Sequence, residues 1–323
     1  MIGTAVFKQL DVSLWAVEES LSESDTFSQT VLICGTGYLG AHLFQHLLVS
    51  GLRVEFLPAI FKRPPQYLSR FESVELRNYL SQRVPFTMIN CSGASAVSES
   101  FSNVRTSEQE PSALIRFHSE LADWQFDYLY ISSAAVYGET TPHGVTENDV
   151  THPISPYGVG KLLAEETAKD LLKSGRFRNL TICRPFSIYS NDLRKRLLHQ
   201  IASSVISYQS ISLAGVGDES RDFLHVSDFC RMMADLLQVK RESSLNITNL
   251  GTGIPTTVRQ VAEIAATEWS KAKKVSVPIR FSGVTRKGDP KNLVLAKPST
   301  QSARIIPQYG VRNYFQWRFS EDH

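Results

Sequence analysis

Val31-Leu32-Ile33-Cys34-Gly35-Thr36-Gly37-Tyr38-Leu39-Gly40 is the stretch that decides the fold. Four apolar residues closed by a glycine turn fit a strand buried on both faces. Leu43, Leu47 and Leu48, ending at Gly51, then repeat with helical spacing. Between strand and helix, Gly35 permits the tight turn and Gly37 lets backbone approach a pyrophosphate. Gly40 lets the helix lie close to the strand, and Tyr38 and Leu39 complete the loop. The helix start turns N–H groups and a positive dipole end towards phosphates. The stretch predicts a dinucleotide site at Gly35, Gly37, Tyr38, Leu39 and Gly40.

Further apolar runs at 54–57, 86–91, 128–132 and 180–183 are separated by helix-compatible sequence. That alternation predicts an α/β fold, a doubly wound parallel sheet covered on both faces. Asn90-Cys91-Ser92-Gly93 ends one strand beside the cofactor site, so Ser92 and Gly93 are expected to line it. Ser155-Pro156 marks a capped helix start, with Leu162, Leu163, Leu171 and Leu172 as its apolar face. Ser227 is expected to cap a second helix, and Thr257 with Gln260 to form a capping box on a third.

A chain of 323 residues can hold such a domain and a second lobe without disulfide staples. Its net charge of +2, with no long basic run, counts against a nucleic-acid partner. The longest uncharged run, 200–217, is broken by serines, so no membrane helix is expected. Residues 1–28 read as an acidic extension, not a secretory leader, because Asp11, Glu18, Glu19, Glu23 and Asp25 dominate their charge. Cys34, Cys91, Cys183 and Cys230 are widely separated and read as free thiols in a reducing, cytoplasmic setting. His42 and His46 have metal-compatible spacing but no third ligand, so no metal site is expected.

Cofactor choice turns on the end of the second strand, where an acid would hold the ribose 2′-hydroxyl of NAD. Here Pro58 follows the strand, Glu55 lies inside it, and Lys62 and Arg63 come soon after. NADP and NAD both stay open, with the balance tipped towards NADP. The chemistry centres on Tyr157 and Lys161, four residues apart at a helix start and hence on one face. A phenol is a poor acid–base group near neutrality, and a neighbouring ammonium favours its ionised form. Ser133, at the end of the 128–132 strand, is placed to hydrogen-bond the same reacting oxygen.

These residues, with Ser132-Ser133-Ala134-Ala135-Val136-Tyr137-Gly138, Arg221-Asp222-Phe223-Leu224-His225, Asn249-Leu250-Gly251-Thr252-Gly253 and Arg286-Lys287-Gly288-Asp289, form an ordered series. In that series the chain resembles the extended short-chain dehydrogenase/reductases, in their epimerase/dehydratase branch acting on nucleotide sugars. The resemblance implies a Rossmann domain over 29–185 plus 222–250 and a smaller C-terminal α/β substrate lobe over 186–221 plus 251–323. It implies Ser133, Tyr157 and Lys161 as catalytic residues, with Lys161 also on the nicotinamide ribose and Glu75 and Leu76 near adenine. It further implies Ser187 at the nucleotide sugar, Arg221 and Arg286 on the diphosphate, and Asp289 near the nucleotide ribose.

Three departures from the family pattern bear on the reading. Cys34 stands where the longer glycine motif begins, Pro58 replaces the strand-end acid, and Ser187 replaces an Asn. Ala134-Ala135 stands where the family's 4,6-dehydratases carry Asp-Glu, which disfavours dehydration. The resulting expectation is an NAD(P)-dependent 4-ketoreductase or 4-epimerase of a nucleotide sugar. The alternative is a family member that binds dinucleotide or sugar nucleotide without turnover. A homodimer is left open.

Overall fold

The computed structural model describes residues 30–57, 70–82, 85–93, 97–121, 125–239, 243–297 and 304–320. The extension 1–28, Pro58, Lys62 and Arg63 lie outside the described residues. The first half runs β1 (Thr30–Cys34), α1 (Tyr38–Val49), β2 (Arg53–Phe56), α2 (Arg70–Ser81), β3 (Phe86–Asn90), α3 (Val97–Ser100), α4 (Val104–Ser119) and β4 (Phe126–Ile131). A 3-10 turn at Ala134–Val136 precedes α5 (Pro156–Lys173), β5 (Phe177–Pro185), β6 (Ser187–Tyr189), α6 (Arg196–Tyr208), β7 (Ile211–Leu213) and β8 (Ser220–His225). The remainder is α7 (Val226–Gln238), β9 (Leu245–Leu250), β10 (Pro255–Thr257), α8 (Val258–Lys273), β11 (Ile279–Phe281), β12 (Asn292–Leu293) and α9 (Pro307–Ser320).

The large sheet has the order β2-β1-β3-β4-β5-β9, parallel throughout. Val31, Leu32, Ile33 and Cys34 are fully buried, as an apolar run without alternation requires when both faces are covered. One face packs on Leu43 and Leu47 of α1 and on Phe229, Met232 and Met233 of α7. The other packs on Leu80 of α2, Ile115 of α4, and Ala164 and Ala168 of α5. From β1 the chain crosses to β2 on one side and then to β3 on the other. The crevice beyond β1 and β3 is therefore the switch point where doubly wound sheets bind ligands.

Strand β8 centres a smaller sheet, parallel to β6 and β12 and antiparallel to β10. It runs whole through the expected boundary at 221/222. Strands β7 and β11 pair beside it. Helices α6, α8 and α9 cover this lobe with Ile201, Val205, Val261, Trp269, Val311 and Phe315. Between β5 in the large sheet and β6 in the small one lies a single residue, Phe186, whose N–H still bonds Leu250 O at 2.9 Å.

Local signals set several of these boundaries. Ser155 Oγ accepts from Gly158 N at 3.1 Å to cap α5, and Thr257 and Gln260 form the expected reciprocal box on α8. Helix α7 departs from expectation, because its cap is His225, whose Nδ1 accepts from Ser227 N at 3.3 Å. Strand β8 runs directly into the helix, so Ser227 falls inside the first turn. Helix α5 departs in part: its most buried positions are Gly158, Lys161, Ala164, Glu165 and Ala168, Leu162, Leu171 and Leu172 pack against the core as expected, and Leu163 is exposed. Small residues there let α5 lie close to α4 and the sheet. None of the four cysteines is in a disulfide, and among the described residues no helix is long and apolar enough to cross a membrane.

Candidate active site

Strand β4 ends at Ile131 and delivers Ser132 and Ser133 to the carboxyl edge of the sheet. Ser133 is extended and caps the 3-10 turn, its Oγ accepting from Ala135 N at 3.2 Å. Helix α5 brings Tyr157 in its first turn and Lys161 one turn later. A Cβ at Gly158 would lie 2.5 Å from Ala135 O, so only glycine lets the Tyr157 turn approach the Ser133 turn this closely. Lys161 is buried; its Nζ donates to Ile131 O at 2.9 Å and stands 5.9 Å from the Tyr157 ring centroid. The sequence-expected trio is thus gathered at one place.

On the cofactor side, Gly35 has φ +101, and a Cβ there would lie 2.8 Å from Ser92 N. The loops after β1 and β3 therefore touch, tied also by Cys91 N donating to Cys34 O at 2.8 Å. Ser92 N bonds Asn90 Oδ1 at 3.0 Å, which shapes the loop carrying Gly93. Gly37 caps α1 without a side-chain bond, no acid lies in the first turn, and a Cβ on Gly37 would meet nothing within 4 Å. This open, glycine-walled helix start fits a dinucleotide pyrophosphate. Tyr38 opens α1 and donates its hydroxyl to Ser190, while Leu39, next on α1, is partly buried against the core. Glu75 and Leu76 belong to α2; their side chains lie outside the described residues. Glu55 accepts from Tyr79 OH and from Arg53 Nε at 3.2 Å, so it is engaged on the α2 face and not at the strand end.

The substrate side is a cavity of about 320 Å³, whose walls include Ser133, Tyr157, Ser187, Arg221, Arg286 and Asp289. Every substrate residue named from the sequence therefore opens onto the space that Ser133 and Tyr157 share. Arg221 is largely buried, and its Nη2 pairs with Asp289 Oδ1 at 2.5 Å. Its Nη1 donates to the carbonyls of Ser220 and Lys291 at 2.8 and 3.2 Å. Arg221 and Asp289 thus form one unit, and Arg286 is exposed on the loop that carries Asp289. Gly288 seats that loop against Phe101, with Lys287 Nζ 5.3 Å from the Phe101 ring centroid.

Several wall residues carried no sequence signal: Phe186, Tyr189, Lys195, Arg196 and Glu219. Burial pushes the Glu219 carboxyl up, but the N–H groups of Val216 and Gly217, with Arg221 nearby, bring it below its ordinary value. Asp222, next to Arg221 in sequence, plays a structural part. It is fully buried and accepts from Thr252 N, Thr252 Oγ1 and Gly253 N, which ties β8 to the Gly251 turn. Burial, opposed by those bonds, raises its pKa. His42 pairs with Asp192 at 2.9 Å, and among the described residues no group of three His, Cys, Asp or Glu is arranged to hold a metal.

The family model described as "NAD dependent epimerase/dehydratase family" matches residues 31–251. A putative UDP-glucose 4-epimerase of Methanocaldococcus jannaschii is 25% identical over 248 residues, covering 71% of this chain and 79% of the relative. UDP-glucose 4-epimerase 4 of Oryza sativa subsp. japonica is 26% identical over 337 residues, covering 90% of each. The solved structure of MoeE5 in complex with UDP-glucuronic acid and NAD shares the fold at a TM-score of 0.73 and 23% identity, over 90% of this chain and 99% of that one. The matched span is more than half the chain and holds the glycine loop, the 132–138 and 155–161 segments and the 221–225 segment, while Arg286-Lys287-Gly288-Asp289 lies beyond it. The chain belongs to the NAD-dependent epimerase/dehydratase family.

Proposed function

We propose that the protein is an NAD(P)-dependent enzyme that interconverts hydroxyl and keto groups at C4 of a nucleotide-linked sugar, working as a 4-epimerase. One observation carries the reading: Ser133, Tyr157, Arg221 and Arg286 open onto one cavity, with Lys161 behind Tyr157 and the glycine loop at the same sheet edge. Two guanidiniums suit a diphosphate, and their loops leave the sugar facing Ser133 and Tyr157. The epimerase names of the relatives from M. jannaschii and O. sativa support the same chemistry.

Gly35, Gly37 and the start of α1 would hold the dinucleotide pyrophosphate, with Ser92, Gly93 and Lys161 towards its nicotinamide end. When bound, the dinucleotide supplies the hydride acceptor and donor. Tyr157 takes the hydroxyl proton as the carbinol becomes a ketone and returns it as the carbinol reforms. Ser133, whose Oγ accepts from Ala135 N, has its own proton to donate to the same sugar oxygen. Lys161 Nζ lies 5.9 Å from the phenol ring centroid, where an ammonium favours the phenolate. Ala134 and Ala135 line the cavity without offering the further acid and base that loss of water requires.

A 4-ketoreductase using NADPH is the second reading, favoured by the engagement of Glu55 with Tyr79 and Arg53, which removes that acid from a 2′-hydroxyl. The NAD named with MoeE5 supports the first. Replacing Tyr157 with Phe is expected to lower turnover of UDP-glucose or UDP-galactose by at least about 10²-fold while leaving NAD affinity unchanged; unchanged turnover would sink the assignment. Mass spectrometry of copurified dinucleotide separates the readings: retained NAD marks the epimerase, and an empty site that takes NADPH marks the reductase. Binding without turnover of any sugar nucleotide marks the non-catalytic alternative. A homodimer belongs to the same reading and is tested by light scattering.

A further inference from the structure

Beneath the active site lies an ion pair that touches neither cavity nor solvent. Glu165 is fully buried, Arg184 is 3% exposed, and Arg184 Nε and Nη2 donate to the two carboxylate oxygens at 3.0 and 2.6 Å. A buried pair of this kind is seldom more stabilising than apolar residues of the same volume. Its value is better sought in what it holds.

It holds both ends of the segment that carries Ser133. Ser132 Oγ donates to Glu165 Oε1 at 2.5 Å. At the other end, Arg184 Nη1 donates to Tyr137 OH at 2.8 Å, and its guanidinium lies 4.9 Å from the Tyr137 ring centroid. Tyr137 OH in turn donates to Asn249 Oδ1 at 2.8 Å, on β9. Ser133's own bond to Ala135 N shapes its turn but does not place that turn against Tyr157. Glu165 rides on the helix that carries Tyr157, one turn beyond Lys161, so the Ser132 bond registers the serine turn to that helix.

We propose that Glu165 and Arg184 are positioning residues that hold Ser133 in register with Tyr157. This rests on the reading of Ser133 and Tyr157 as the pair acting on one sugar oxygen. None of Glu165, Arg184, Ser132 and Tyr137 lines the cavity, so their effect travels through Ser133.

The test cuts the anchors while leaving the charges paired. Ser132→Ala and Tyr137→Phe each remove one, and the double variant removes both. A displacement of about 1 Å at a reacting group costs up to about 10²-fold, so kcat of the double variant should fall about 10- to 100-fold. KM for UDP-glucose and the affinity for NAD should stay within about twofold. Ser132→Thr, which restores a hydroxyl, should regain most of the rate. Crystal structures should show Ser133 Oγ displaced relative to the Tyr157 hydroxyl. Wild-type kcat in the double variant, or an unmoved Ser133, overturns the proposal.

Glu165→Leu with Arg184→Met addresses folding directly. The proposal expects a folded protein of similar Tm and reduced kcat; a lowered Tm with intact kcat overturns it. If the wild-type protein turns over no nucleotide sugar, the proposed function fails, and the displacement of Ser133 alone decides for or against the positioning role.

Discussion

At the scale of single residues, the glycine loop shows how a substitution at a tight turn is absorbed. Cys34 stands at the end of β1, and its backbone lies outside the left-handed region that Gly35 occupies at φ +101. Its side chain therefore has room inside the sheet, where Sγ lies 3.3 Å from His118 Nε2 and burial pushes the thiol up to about 12. His118 Nδ1 bonds Tyr128 OH at 2.7 Å, and burial pulls its pKa down to about 3. The folded state thus keeps this imidazole neutral where the unfolded chain would bind a proton, at an ordinary value near 6.5. Its contribution to stability is complete above about pH 6.5 and is lost as pH falls towards about 3, with a slope of up to about 1.4 kcal/mol per pH unit. Replacing His118 with Leu should flatten the dependence of unfolding free energy on pH between about 6.5 and 4 by up to one proton. Denaturant melts at several pH values check this.

Helix α5 sets the terms at the scale of an element. It carries Tyr157, Lys161 and Glu165, and its glycines let it press against the serine turn and α4. Gly158→Ala would put a methyl 2.5 Å from Ala135 O. The helix start must then move, which is expected to cost about 1–3 kcal/mol of stability and to lower kcat more than it raises KM. Thermal melts and steady-state kinetics separate the two effects. Tyr157 and Lys161 were legible in the sequence because helical spacing puts both on one face without reference to the rest of the chain. Glu165 follows Lys161 at the same interval, yet read alone it is an ordinary surface charge. Its meaning comes from Arg184, which lies on β5 and meets it only once the sheet has formed. Of the leucines of α5, Leu162, Leu171 and Leu172 pack against the core and only Leu163 misled: where glycine and alanine allow close packing, it is left outside. Ser227 failed as a cap because no residue separates β8 from α7. Thr257 and Gln260 succeeded because their box is closed within four residues.

At the scale of the whole molecule, the order of motifs along the chain conveyed the fold well, since each strand end in a parallel sheet faces one edge. The pairing of Arg221 with Asp289 was not legible, because it joins β8 to a loop far along the chain. The anchoring of that loop on Phe101 was hidden for the same reason. Together these contacts identify the segment 285–290 as the wall best placed to respond to ligand. Hydrogen exchange on adding UDP-glucose and NAD should show added protection at 285–290 and 187–190, with the large sheet unchanged. Protection spread evenly over both lobes would count against this.

The single residue between β5 and β6 has a mechanical consequence. Phe186 stays bonded to Leu250 on one sheet while Ser187 already pairs with Phe223 on the other. A second splice follows where β8 runs straight into α7. These junctions carry no connecting loop, and the third crossing, from β9 to β10, spans only 251–254, where Thr252 and Gly253 are tied to Asp222. Any hinge between the lobes is therefore confined to single backbone positions. Entry and exit of a nucleotide sugar then rest on the 285–290 segment of the cavity wall, which carries Arg286 and Asp289. The rate of product release becomes a property of a few residues around Gly288.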